Sequence, residues 1–327
     1  MKIAMIGASG HGLHQCMAKA GTDDRNFTAI APGSTGEQIA HAVKRMQDEG
    51  YCPKVYENYR TMLLKEKIDV VVVDNFYGEH ALVIADALKA GCHVYAEKPM
   101  AANVQQLNEL YMQWRAAGTQ LCSMLNYRYN GAFYCAHELI RQGAIGKVRL
   151  MNAQKSYKYG VRSGLYLQRA TYGGTIPWVG IHAIDWVLWL SGGRMKSVWA
   201  VQSAVGSVNG ISPETTALAQ FMMHDGVMAS VTMDMLNPQK APVHGDDRIR
   251  VVGTTGVLEV RSGAVTLINE NGTQTPENLP NGDLFTEFLQ QVNGTGICRL
   301  SAEEAFASTR AALFAQAAAD QNEILDF

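Results

Sequence analysis

Residues Lys2–Ile6 form a short apolar run that ends on a glycine-rich turn, Gly7-Ala8-Ser9-Gly10-His11-Gly12, after which residues 13–20 take helical spacing. A strand, a tight glycine turn and a helix, in that order, open a βαβ unit, and this feature constrains the chain more than any other. Glycines let the backbone turn sharply and let an anionic group come close, while a helix start offers unpaired N–H donors and a positive dipole end. The pattern departs from G-x-G-x-x-G because Ser9 holds the second glycine position. Alone, such a turn joins many strands to helices that bind nothing; its meaning depends on the elements C-terminal to it.

Those elements alternate. Phe27–Ala31, Ile68–Asp74 with its run of four valines, His93–Ala96 and Gln120–Leu125 read as strands. Helical spacing separates them at Ile39–Glu49, His80–Ala90 and Val104–Ala117, the last two stopped by Gly91 and Gly118. Strands alternating with helices of about ten residues predict a parallel, doubly wound α/β sheet. Past Ile145-Gly146 the period changes to two. Lys147–Lys155, Ser197–Ala204, Thr216–Met223, Val227–Met235, Arg248–Gly253, Gly256–Val260 and Ala264–Asn269 alternate, with turn signals at His224-Asp225-Gly226 and Asn271-Gly272. This predicts a C-terminal α+β domain with an open, mostly antiparallel sheet and helices near 133–142, 181–190, 284–293 and 301–320. A length of 327 residues suits two domains, drawn here as a Rossmann domain at 1–125 and a substrate-binding and oligomerisation domain at 126–327.

Composition narrows the partners. A net charge of −2 gives no electrostatic reason to expect nucleic acid or an anionic membrane. The apolar stretch Ile176–Leu190 carries His182 and Asp185 and falls short of the roughly 20 residues that a spanning helix needs. The first residues are too brief an apolar run for a signal peptide. Six scattered cysteines without C-x-x-C or metal-ligand spacing predict reduced thiols, a cytoplasmic setting and no metal.

The dinucleotide reading has a gap. An acid is expected about 20 residues beyond the turn, at the end of the second strand, to accept from a ribose 2′-hydroxyl. Ala31 stands there, followed by Pro32-Gly33-Ser34-Thr35. Ser34 and Thr35 suit a 2′-phosphate but have no arginine beside them, and Glu37 is an off-register acid. NAD and NADP both remain open.

From Lys54 onward a family pattern accumulates: Asp69-Val70-Val71-Val72-Val73, Glu79-His80, then Gly91-Cys92-His93-Val94-Tyr95-Ala96-Glu97-Lys98-Pro99. Tyr127-Arg128-Tyr129, Ile145-Gly146-Lys147-Val148, Gly173-Gly174, Gly180-Ile181-His182-Ala183-Ile184-Asp185 and Gly253-Thr254-Thr255-Gly256 continue it in order. In these segments the chain resembles the Gfo/Idh/MocA oxidoreductases, the glucose–fructose oxidoreductase and inositol dehydrogenase family. The resemblance implies a Rossmann domain followed by an open-faced α/β domain whose sheet often serves oligomer contacts. It also implies hydride transfer between NAD(P) and a hydroxyl carbon of a sugar, cyclitol or related polyol. It places Lys98 in the active site, Glu97 in support of the backbone or cofactor, a cis Lys98–Pro99 bond, and His182 as the proton-transfer residue. One departure stands out: an aspartate common four residues before that histidine is Trp178 here.

The chemistry asks for the same residue types. Oxidising CH–OH needs an acceptor for the hydroxyl proton and a positive donor for the developing oxyanion. Histidine titrates near neutrality, and a lysine out of bulk water beside a cationic ring has its pKa lowered. By default, though, a lysine at a strand end is a solvated charge and a histidine in an apolar helix is a core residue. The candidate set is therefore Lys98 and His182 as catalytic residues, with Gly7, Ser9, Gly10, His11, Gly12, Asn75, His80, Glu97 and Lys98 at the cofactor. Tyr127, Arg128, Arg162, Trp178 and His182 are expected at the substrate, with Tyr159, Tyr166 and Arg169 in the same aromatic and basic set. Asp185 is an alternative partner for His182, expected to be structural. Two other functions compete with simple dehydrogenation: glycosidase- or lyase-type chemistry by transient oxidation, and a non-catalytic dinucleotide-binding regulator. An open sheet face predicts a homodimer or homotetramer.

Overall fold

The computed structural model describes residues 1–18, 20, 21, 25–160, 164–205 and 214–327. They form two compact units, Met1–Met124 with Leu284–Ala307, and Leu125–Asp283 with Ser308–Phe327. The polypeptide therefore does not divide at a single cut: a segment near its C-terminus returns to the first unit.

The first unit carries β1 (Ile3–Ile6), α1 (Gly12–Cys16), β2 (Phe27–Ala31), α2 (Ala40–Asp48), β3 (Lys54–Val55), α3 (Tyr59–Lys65) and β4 (Val70–Val73). It continues with α4 (His80–Lys89), β5 (His93–Ala96), α5 (Val104–Ala117) and β6 (Leu121–Ser123). All six strands run parallel in the order β3-β2-β1-β4-β5-β6. Val70–Val73 is wholly buried, as a strand covered on both faces requires. The order reverses at the β1/β4 junction, so the turns leaving these strands, Gly7 and Asp74 onward, share the end where such sheets bind ligands. α5 shows how locally the helices are set: the Asn103 side chain accepts from Gln106 N–H at 3.0 Å, and Gly118 ends the helix with φ 68°.

α9 (Leu284–Val292) belongs to this unit, and α10 (Ala302–Gln321) is shared between the two. The second unit holds α6 (Gly131–Arg141), β7 (Val148–Ser156), α7 (Arg169–Tyr172), α8 (Ile181–Ser191), β8 (Met195–Ser203), β9 (Thr216–Met223) and β10 (Met228–Asp234). After these come β11 (Arg248–Gly253), β12 (Gly256–Arg261), β13 (Ala264–Asn269), β14 (Gly272–Gln274) and β15 (Leu325–Asp326). The nine strands lie in the order β14-β13-β12-β11-β7-β10-β9-β8-β15; β7 and β10 run parallel and the other pairs antiparallel. Period-two patterning decides the faces. Ala217, Ala219, Phe221 and Met223 of β9 are buried, while Leu218 and Met222 point to the open side.

The structure adds to and trims the sequence expectation. α1 stops at Cys16 rather than continuing toward residue 20. The short elements β3, α3, β14 and β15 carry too few residues to show a period. A π-helical turn, Ile176–Gly180, leads into α8.

Candidate functional site

In the first unit the glycine turn rests on a floor of acids and amides. Gly7 has φ 84°, and a Cβ there would stand 2.4 Å from Asn75 N. A Cβ on Gly10 would meet Asp74 Oδ1 at 2.5 Å and Glu97 Oε2 at 2.6 Å, and one on Gly12 would meet Asp74 Cβ at 2.9 Å. These contacts explain glycine at 7, 10 and 12, with Ser9 free to carry a side chain; its N–H donates to Asp74 O at 2.7 Å.

Glu37, the off-register acid, folds against the turn. Its buried carboxylate accepts from Ala8 N–H (3.0 Å), Gly33 N–H (2.8 Å), Ser34 N–H (3.2 Å) and Ser9 Oγ (2.5 Å). The chain thus folds an acid from the loop after β2 back onto the dinucleotide turn. Asn75 is buried beside it and donates to Ser34 Oγ at 3.0 Å. The fully buried His80 sets Nδ1 at 2.7 Å from Pro99 O and Nε2 at 2.9 Å from Asn75 O. Burial lowers its pKa against the pull of those carbonyls. His80 therefore ties the β4 turn to the segment after β5.

Glu97 and Lys98 directly follow β5, and the Lys98–Pro99 bond is cis. Glu97 accepts from His11 N–H at 2.6 Å, from the His11 ring at 2.8 Å and from Lys98 N–H at 2.8 Å. Burial pushes its pKa up, but His11 and Lys98 outweigh that and hold it at about 2. Asp74, also fully buried, goes the other way: burial and the Glu97 charge raise its pKa well above its ordinary value. Lys98 is only 2% exposed.

The second unit gathers a different set. His182, on α8, is 5% exposed, with its ring 5.1 Å from that of Tyr127, which sits in a 3₁₀ turn, Asn126–Tyr129. The Tyr127 hydroxyl bonds both Asp247 Oδ2 and Lys155 Nζ, and Lys155 Nζ reaches Asp247 Oδ2 at 2.7 Å. Lys155 is fully buried, with Nζ 3.9 Å from the Tyr127 ring centroid and 4.4 Å from that of Tyr157. Burial, then Tyr157 and Asp247, push the Tyr127 phenol far up, so it stays protonated and donates to Asp247. The other Asp247 oxygen, Oδ1, is buried without a hydrogen-bond partner.

Several expected substrate residues are engaged elsewhere. Arg128 is 1% exposed and forks onto Asp185, Nη2 to Oδ1 at 2.8 Å and Nε to Oδ2 at 3.1 Å, while Ser308 Oγ donates to Asp185 at 2.7 Å. That guanidinium is committed to the core, and Asp185 with it. Trp178 is buried against Tyr172 and Tyr166 at 5.8 and 6.2 Å, an aromatic core contact rather than a wall. Arg169 pairs with Glu214 and Asp320 at the surface. Arg162 lies outside the described residues; Tyr159 is half-buried. Lys155 and Asp247 escaped the sequence reading. The available signal was a charge on the inward face of β7, where Met151 and Ala153 are its neighbours.

Among the described residues no group of His, Cys, Asp or Glu is placed to hold a metal ion, and no helix is long and apolar enough to cross a membrane. No disulfide joins any of the six cysteines, five of which are buried.

Comparison with known proteins matches residues 1–124 to an oxidoreductase family with an NAD-binding Rossmann fold and residues 133–259 to the GFO/IDH/MocA C-terminal domain. A Thermotoga maritima structure described only by the class oxidoreductase superposes with a TM-score of 0.93 at 37% identity, covering all of both chains. A trans-1,2-dihydrobenzene-1,2-diol dehydrogenase of Danio rerio is 25% identical over 92% of this chain and 85% of its own. A D-glucoside 3-dehydrogenase of Escherichia coli is 31% identical over 59% of this chain and 54% of its own.

Proposed function

Because the chain belongs to the Gfo/Idh/MocA family of NAD-binding oxidoreductases, we propose that it moves a hydride between NAD and a hydroxyl-bearing carbon of a sugar, cyclitol or related polyol. The observation that carries this reading is the near-complete burial of two nitrogen bases, Lys98 and His182, in a chain whose relatives oxidise diols and glucosides by name. Lysine is almost never buried for packing alone.

The Gly7–Gly12 turn would hold the pyrophosphate and Glu37 the ribose. The glycines at 7, 10 and 12 keep the turn close to its floor, and Glu37 already clamps three of the surrounding N–H groups. When bound, the nicotinamide supplies the hydride acceptor or donor. Lys98 anchors the substrate hydroxyl and stabilises its oxyanion, and His182 takes or returns the proton. A carboxylate at the ribose repels a 2′-phosphate, so NAD is the preferred cofactor over NADP.

Fluorescence titration with NADH and NADPH tests the first half, with at least about tenfold tighter binding of NADH expected; equal affinities would remove Glu37 from the ribose. A sugar and polyol panel followed by nicotinamide absorbance tests the second half. Net NADH formation supports dehydrogenation, whereas product without net reduction would put transient oxidation in its place. Nucleotide binding without turnover of any substrate would leave the non-catalytic dinucleotide-binding regulator. Lys98→Ala and His182→Ala should each lower kcat/KM by about 10²–10⁴, the span of one proton-transfer group.

The outward sheet face carries the row Leu150, Met228 and Met222 on adjacent strands, each more than a third exposed, with Leu218 and Ile268 beyond it. Such a patch is proposed to seat a second copy of the chain, readable as a dimer or tetramer by light scattering. Six cysteines without a disulfide fit a reducing compartment such as the cytoplasm.

A further inference from the structure

The imidazole of His182 lies against the Tyr127 ring, not against Asp185, the acid nearest to it in sequence. Asp185 is bonded by Arg128 and Ser308, a closed arrangement inside the core. Tyr127 holds its ring 5.1 Å from the imidazole, and its hydroxyl is fixed between Lys155 and Asp247.

A fully buried ammonium is costly to fold, and its pairing with Asp247 recovers that cost only in part. The cluster is expensive in a second way, because Asp247 Oδ1 is buried with nothing to accept from. A core built for stability would use apolar residues of the same volume. Resting on the dehydrogenase reading above, we propose that Lys155, Tyr127 and Asp247 are positioning residues for His182. The Asp247 carboxylate and the Lys155 ammonium act on the imidazole with opposite sign through the Tyr127 phenol.

The other charges around α8 are already matched. The elements packed on it include β7, β10, α6, the turns at 126–129 and 176–180, and α10 through Ser308. They bring Arg128, closed by Asp185; Asp234, which accepts from Ser156 Oγ and Leu236 N–H; and His137 with Glu138, themselves in contact at 3.3 Å. His244 stacks on Tyr157 at 4.9 Å, one ring further out. Lys155 and Asp247 remain as the charges tied to the ring that touches His182.

The test is the titration of His182 in the ligand-free protein, monitored by ¹³C NMR of labelled histidines and assigned with His182→Gln. Asp247→Asn removes an anion and leaves Lys155 unopposed, so the His182 pKa should fall. Lys155→Met removes a cation and leaves Asp247 unopposed, so it should rise. Each shift should be about one pH unit, as expected for a charge roughly one ring away. Opposite signs show that both charges reach the imidazole, and shifts in one direction, or none, overturn the proposal; the part played by the phenol is read from its removal. In a Tyr127→Phe background the Asp247→Asn shift should shrink by half or more, and an unchanged shift would overturn the phenol's part. Should a charge variant not fold, Tyr127→Phe is read alone: it keeps the ring, removes one oxygen, and must move the titration by more than about 0.2 of a pH unit. None of this depends on turnover. Opposite shifts in a protein that oxidises no sugar or polyol would keep the network and discard the substrate reading.

Discussion

Asp74 and Glu97 lie side by side under the glycine turn and are driven in opposite directions, a contrast with a measurable consequence. Asp74 holds its proton more tightly in the folded protein than in the unfolded chain, where it is lost near the ordinary carboxylate pKa. Stability therefore declines as pH rises from about 4 toward the folded pKa. Asp74→Asn has the shape of the neutral acid without its titration. It should raise the melting temperature at pH 8 and change it little at pH 4, by scanning fluorimetry; a lower melting temperature at pH 8 would refute the assignment. Glu97, held at about 2, is the reverse case. Its contribution is complete above the unfolded pKa near 4.5 and fades as pH falls through the folded value. Glu97→Gln should thus be destabilised at pH 7 and approach the parent at pH 2–3. None of this was legible in the linear chain. Ser9 and Ala31 depart from the dinucleotide pattern, while the acids that contact the turn, Asp74 and Glu37, meet it only after the sheet has formed. Lys155 and Asp247 are 92 residues apart, and no local pattern joins them.

At the scale of elements the sequence was far more informative, because periodicity is a local property and long elements repeat it. β9, β11 and β13 begin and end where alternation places them, and α4 and α5 stop at glycines. Two-residue strands carry no period, which is why β3 and β15 went unseen. Glycine positions hold a further kind of information that only packing reveals. Gly131 opens α6 and its N–H donates to Asn281 Oδ1 at 2.7 Å, while Leu279 N–H donates to Gly131 O at 3.2 Å. A Cβ at this residue would stand 1.9 Å from Leu279 O, a backbone atom with no rotamer to retreat into. Gly131→Ala should therefore cost about 1–3 kcal/mol, as overpacking does, even though alanine is the better helix former. Urea unfolding monitored at a tryptophan of the second unit would show it. A variant as stable as the parent would mean that the 279–282 segment lifts freely from α6.

The first unit is finished by residues that the chain supplies last. Phe285 and Phe288 of α9 lie 4.9 and 5.6 Å from the Tyr95 ring, Phe285 stacks on Phe27 at 6.5 Å, and Arg25 sits over the Phe285 ring while donating to Thr286. Phe27 lies on β2 and Tyr95 on β5, on either side of the central pair β1 and β4, so α9 covers aromatic surface that residues 1–124 cannot cover themselves. A parallel sheet needs both faces buried, and a unit cut at 124 would expose these rings. Phe285→Ala in the full chain should cost about 3–5 kcal/mol, the range for emptying a buried phenylalanine site. The loss should be local to its unit. Hydrogen exchange would then quicken in Val70–Val73 and Val94–Ala96 while Ala217–Phe221 of the second unit keeps its protection. Equal loss in both units would show that the two unfold as one cooperative body. Loss in neither would show that α9 is an ornament on a sheet already complete, and the return of residues 284–307 would then need a reason other than burial.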